Sequence, residues 1–150
     1  MFKKILVATD GSPLAARGVD AAIDLATKIS AELIIVTVTN LMPSYGIVMG
    51  AEWAGGASSA WEDFRKSMEE EAQQILNSAL DKTKSAKVEA QGIHVENQLA
   101  ASGIIDAAKQ YDVDLIIIAS HGRRGVSRLI LGSQAAEVLA LSNRPVLVIK

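Results

Sequence analysis

The chain has 150 residues, 49% hydrophobic and 21% charged, with a formal net charge of −2 and no cysteine. That balance excludes disulfides, thiolate metal sites and cysteine catalysis, and it lacks the strongly basic face that general nucleic-acid binding demands. The length fits one domain, residues 1–150, and no apolar run approaches the roughly 20 residues of a membrane span.

The N-terminal segment, Met1-Phe2-Lys3-Lys4, leads into residues 5–8, a short apolar run that meets a polar break at Thr9-Asp10-Gly11-Ser12-Pro13. No signal peptide has this form, so a cytoplasmic location is expected. The run predicts a buried strand, and the break predicts a helix start: the Ser12 hydroxyl caps, and proline suits the first helical position. Val19, Ala22, Ile23, Ala26 and Ile29 follow at helical spacing, and residues 33–38 predict a second buried strand. Residues 40–58 interrupt the rhythm. Pro43, Gly46, Gly50, Gly55 and Gly56 oppose regular structure, while Met42, Ile47, Val48, Met49 and Trp53 make the loop apolar. Two readings fit it: a lid or partner surface, and a loop folded back over the sheet edge.

Ser59-Ala60-Trp61-Glu62 matches a capping box. Trp61, Phe64, Met68, Ala72, Ile75 and Ala79 then form a long helical stripe, expected in the core, with Gly92 as its stop. Residues 94–99, apolar at Val95 and Leu99, predict an edge strand. Ile104, Ile105, Ala108 and Tyr111 suit a third helix, residues 115–118 a central fourth strand, residues 135–141 the last helix, and residues 146–149 the closing strand.

Strands alternating with helices predict an α/β fold with an open doubly wound parallel sheet covered on both faces. Ligands of such sheets sit beyond the carboxyl ends of the strands, where strand order reverses. If strands one and four are neighbours, the Asp10 turn and the Ala119-Ser120-His121-Gly122 loop face one crevice. Nine residues separate Gly122 from Gly132-Ser133, and a helix opening there presents unpaired N–H groups suited to phosphate. Simpler roles fit as well: Ser133 as a helix cap, Asp10 as a turn former, and Arg123, Arg124 and Arg128 as solvated loop residues rather than phosphate contacts. No Walker loop, G-x-G-x-x-G or G-x-S-x-G is present. His94 and His121 lack metal-ligand spacing, so a metal would be Mg²⁺ carried on phosphates.

Lys3-Lys4-Ile5-Leu6-Val7-Ala8-Thr9-Asp10-Gly11-Ser12 looks like the opening of universal stress proteins, and the stretch from Ser120 through His121-Gly122-Arg123-Arg124 to Gly132-Ser133 resembles their signature loop. Asn143-Arg144-Pro145-Val146-Leu147-Val148-Ile149 resembles their last strand. The likeness spans essentially the whole chain and is weakest over residues 40–60 and 80–100. It implies a Rossmann-like sheet of five parallel strands in the order 3-2-1-4-5, helices on both faces, and a dimer. In that order the apolar last strand, residues 146–149, lies at a sheet edge, so a homodimer through this C-terminal strand is expected.

ATP-binding members carry G-x-x-G, nine residues, then G-[ST]. The matching positions are Ala119, Gly122, Gly132 and Ser133, so alanine replaces the first glycine and adds a methyl where backbone must pass the ribose. By the same likeness Asp10 accepts hydrogen bonds from ribose or adenine, Ala8 and Thr9 line the base pocket, and Val38 packs on the adenine. Ile118 and Ala119 border the sugar; His121, Gly122, Arg123, Gly132, Ser133 and Gln134 surround the phosphates of ATP, with Mg²⁺ assisting through them. The family includes members that bind ATP and members that do not. Two functions therefore stay open: an ATP-binding dimeric sensor or signalling module of the stress response, and a dimeric interaction protein with a vestigial site. No general base is evident near a γ-phosphate, which leaves at most slow ATP hydrolysis or autophosphorylation, at Ser127 or Ser133.

Overall fold

The continuous apolar runs form strands buried on both faces, as parallel sheets require. A computed structural model describes residues 2–41, 57–122 and 131–150. In chain order its elements are β1 (Lys4–Ala8), α1 (Pro13–Ile29), β2 (Glu32–Val38), α2 (Ala57–Ser85), β3 (Ala90–Val95), α3 (Ala100–Gln110), β4 (Leu115–Ala119), α4 (Ser133–Leu141) and β5 (Val146–Ile149). The five strands form one sheet in the order β3-β2-β1-β4-β5, and each neighbouring pair is parallel. This is the expected open doubly wound sheet, with helices on both faces.

Alternation along the strands builds two cores. Ile5 and Val7 of β1 join Leu33 and Ile35 of β2 against Val19, Ile23 and Leu76 of α1 and α2. Leu6, Ile34 and Ile116 point the other way, against Ala101, Ile104 and Val138 of α3 and α4. Ile5, Leu6, Ile34, Ile116 and Ile117 are fully buried, each contributing roughly 1.5–3 kcal/mol relative to exposure. Among the described residues no helix is long and apolar enough to cross a membrane.

Several boundaries differ from expectation. α2 begins at Ala57, so Ser59 lies inside the helix rather than at its cap; residues 42–56 of the apolar loop lie outside the described residues. The buried face of α2 is Ala72, Leu76, Ala79 and Thr83, while Trp61, Phe64, Met68 and Ile75 lie on its half-buried flank. Gly92 does not stop α2, which ends at Ser85, where Lys87 turns the chain with φ 57°. Instead Gly92 sits within β3, which spans Ala90–Val95 rather than residues 94–99. A Cβ there would stand 3.1 Å from Leu80 and 3.6 Å from Leu76, so glycine lets α2 pack down on this strand. β3 is nonetheless an edge strand, as its polar composition predicts.

At the opposite end of the sheet Asp114 clamps the start of β1. Its Oδ2 accepts from the backbone N–H groups of Lys3 (2.7 Å) and Lys4 (3.0 Å). These two bonds, with a smaller attraction from Arg144, hold its carboxyl below the ordinary aspartate range. A carboxyl whose pKa is depressed by folding adds stability above its unfolded pKa, about 3.9, and that share is lost as pH falls through the lower folded value. Asp114→Asn is therefore expected to lower the thermal midpoint at neutral pH and to converge with wild type as the pH falls to about 2. Thermal melts across that range check this; a constant difference at every pH removes the charge from the clamp.

Candidate functional site

β1 and β4 are central neighbours whose continuations leave the sheet in different directions, so a crevice opens between their carboxyl ends. The Thr9 N–H extends the ladder to Val36 O (2.9 Å), after which the chain turns sharply. Gly11 takes φ 77° in that turn, a value glycine adopts without strain. Asp10 Oδ1 accepts from Ser12 N (3.0 Å), Thr9 Oγ1 accepts from Gly11 N (3.3 Å), and Ser12 Oγ accepts from Ala15 N (3.2 Å) to cap α1. Asp10 thus forms the turn, and its second carboxylate oxygen faces Gly122: a Cβ on Gly122 would meet Oδ2 at 2.6 Å.

Across the crevice, Ser120 N donates to Ile149 O (2.7 Å), and Gly132 N donates to Ser120 O (2.8 Å). That second bond brings the start of α4 back against the end of β4. Gly132 is the N-cap of α4 and offers no side-chain acceptor, while Ser133 is the first helical residue rather than the cap. A Cβ on Gly132 would lie 2.9 Å from Ser120 O and 3.5 Å from His121 Cα, so the close approach requires glycine. The His121 ring Nδ1 lies 3.1 Å from Ser120 Oγ, which fixes the imidazole at the rim.

The cleft has a volume of about 620 Å³, within the range of small-molecule sites. Ala8, Thr9, Asp10, Val38, Ile118, Ala119, His121, Gly122, Gly132, Ser133 and Gln134 all line it. The structure therefore brings together the expected site residues except Arg123, which lies outside the described residues, as do Arg124, Ser127 and Arg128. The structure adds two details. Ala119 is a regular strand residue paired with Ile149 and has no left-handed backbone, so no conformational strain separates it from glycine there. Gln134 Oε1 accepts from Ala101 N (3.0 Å), so this side chain ties the first turns of α3 and α4 together.

Other lining residues lie outside the expected site. Thr37, Thr39 and Asn40 extend the wall from β2, Leu99, Ala100 and Ile104 from the start of α3, and Met68, Glu71 and Ile75 from α2. Thr39 and Asn40 follow β2 as Asp10 follows β1, and that strand-end position is the signal that could have found them. Among the described residues no group of three histidine or acidic side chains could hold a metal ion.

The sequence profile of the universal stress protein family matches residues 1–150. The chain is 34% identical over 155 residues to universal stress protein YxiE of Bacillus subtilis, covering 100% of each chain. The solved structure of protein MJ0577 from Methanocaldococcus jannaschii superposes with a TM-score of 0.82 at 26% identity, over 100% of this chain and 96% of that one. A universal stress protein from Archaeoglobus fulgidus, solved in complex with dAMP, has the same fold with a TM-score of 0.68 at 21% identity, over 100% and 98% of the two chains.

Proposed function

We propose that the chain, which belongs to the universal stress protein family, binds an adenine nucleotide in the cleft between β1 and β4 and serves as a dimeric sensor or signalling module of the cytoplasm. The observation that carries this reading is the meeting of Asp10, Gly122 and Gly132-Ser133 at one 620 Å³ cleft. Support for an adenine ligand comes from the dAMP bound by the Archaeoglobus fulgidus relative.

The chemistry divides along the cleft. Val38 and Ile118 offer apolar contact for a base. Asp10, near the middle, is an acceptor for a ribose or adenine hydrogen. At the far end the first N–H groups of α4 and the positive end of its dipole suit phosphate oxygens, with Gly132 keeping side-chain bulk away. Gln134 lines this end as well, and its Oε1 holds α3 to α4 there. ATP is the expected ligand. Mg²⁺ would be carried on its phosphates and neutralise them, since among the described residues no group of acidic or histidine side chains could hold it. Calorimetric titration is expected to find ATP binding that Mg²⁺ strengthens and weaker binding of AMP. No heat at millimolar ATP overturns the reading and favours an interaction protein with a vestigial site.

Dimerisation through β5 is supported by its place at the sheet edge, where unpaired backbone invites a second strand. Val146 and Val148 pack towards the α3 and α4 core, which leaves Leu147 as the exposed side chain of β5. Leu147 is 41% exposed, and Leu139 and Leu141 of α4 are 50% and 62% exposed. Leu147→Lys places a charge twice in a two-fold interface and is expected to weaken the dimer about tenfold or more. Sedimentation across a concentration series checks it; an unchanged dimer takes β5 out of the interface.

A further inference from the structure

Gly103 lies in the interior of α3, where alanine would favour the helix by about 1 kcal/mol. Its backbone is ordinary helix, so the reason for glycine is space. A Cβ at this position would stand 2.9 and 3.0 Å from the two methyls of Val38 and 3.1 Å from a methyl of Val95. Val38 and Val95 are register partners at the ends of β2 and β3, and the glycine lets α3 settle onto that pair.

We propose that Gly103 is a positioning residue that sets the size of the base pocket through Val38. Val38 lines the cleft, as do Leu99, Ala100 and Ile104 around Gly103, whereas Gly103 itself does not. A methyl added at position 103 must move either the helix or the valine. The helix is held: Ala101 and Ile104 are in the core, 0% and 4% exposed, and Ala101 N is bonded to Gln134 at 3.0 Å. Val38 and Val95 are both half-buried against that core. Of the two only Val38 lines the cleft, and the new Cβ meets both of its methyls, so a shift of Val38 narrows the pocket. A two-ring base needs that room; a one-ring base does not. Gly103 thus favours purine over pyrimidine nucleotides.

This inference rests on the nucleotide reading above, and the experiment separates the two. Wild type, Gly103→Ala and the double variant Gly103→Ala/Val38→Ala are titrated with ATP, UTP and inorganic tripolyphosphate. Gly103→Ala is expected to weaken ATP about tenfold, while UTP and tripolyphosphate change less than about twofold. Val38→Ala in the same chain removes both methyls that the new Cβ meets and is expected to recover part of the lost ATP affinity, while the sparing of UTP and tripolyphosphate is what a general packing defect would not show. Should Gly103→Ala fail to fold, Val38→Leu, which enlarges the wall with Gly103 intact, is expected to give the same selective loss of ATP. Equal loss of ATP and UTP, or no rescue by Val38→Ala, overturns the role of Gly103 alone. If UTP binding is too weak to measure in wild type, the loss of ATP against that of tripolyphosphate decides. Wild type that binds no nucleotide overturns the nucleotide reading and this inference with it.

Discussion

Gly132→Val is expected to abolish nucleotide binding while leaving the sheet folded. Gly132 N donates to Ser120 O at 2.8 Å, and that bond seats the start of α4 against the end of β4. The nearest obstacle to a new Cβ is the same Ser120 carbonyl oxygen at 2.9 Å, with His121 Cα at 3.5 Å. Both are backbone, so neither can rotate away, and the branched valine must push the first turn of α4 outward. The N–H groups proposed to hold phosphate move with it. Backbone φ of −60° and ψ of 148° at Gly132 suit valine well, so the effect is one of bulk rather than of conformation. Loss of aligned donors to a charged group costs about 1.5–3 kcal/mol each, and two such donors give about 100-fold or more in affinity. Titration of ATP, with circular dichroism to establish folding, checks the result. A Gly132→Val protein that binds ATP as wild type does would remove the phosphates from the start of α4.

The core was legible because each central strand is a run of branched apolar residues that can be read without context: Ile5-Leu6-Val7, Leu33-Ile34-Ile35-Val36 and Leu115-Ile116-Ile117-Ile118. β3 was not. Ala90, Gln91 and Gly92 carry little strand preference, and what places them is pairing with Leu33, Ile34 and Ile35 together with the room Gly92 leaves for Leu76 and Leu80. Those causes lie in other elements. The face of α2 was misjudged for a related reason. Ile75 and Leu76 are both apolar neighbours, and only docking on β2 and β3 decides that Leu76 is buried while Ile75 lines the cleft.

The same distinction runs through the site. Asp10, Gly122 and Gly132 were visible because a strand end, a small residue and a helix start each have a local pattern. The base-side wall was not, since Leu99, Ala100 and Ile104 reach the cleft only through the crossover that lays α3 beside β2. Gln134 shows the limit of reading a polar residue at a helix start. Its sequence position suggests a phosphate contact and gives no sign of the bond that its Oε1 accepts from Ala101 N, 33 residues away.

Gly122→Ala is expected to weaken ATP, AMP and adenosine together, each by about tenfold. The new Cβ would stand 2.6 Å from Asp10 Oδ2, closer than real Cβ contacts come, so one side must shift. Gly122 follows a loop anchored at Ser120 by bonds to Ile149 and Gly132, which leaves the Asp10 carboxylate as the part that moves. Its movement is constrained in turn, because Oδ1 accepts from Ser12 N at 3.0 Å. Rotation that clears the methyl stretches this bond and misdirects the oxygen proposed to meet the ribose or base. A phosphate-only defect would spare adenosine; a displaced Asp10 would not. The Asp10→Ala variant makes the cause explicit. With the carboxylate gone the methyl strikes none of the other described residues, so Gly122→Ala added to Asp10→Ala is expected to cost little further, a strong departure from additivity between neighbours. Titration of adenosine and ATP across the four proteins of this cycle is the measurement. Additive losses would mean that Gly122 and Asp10 act on the ligand separately, and unchanged adenosine affinity in both single variants would take Asp10 out of the nucleoside contact altogether.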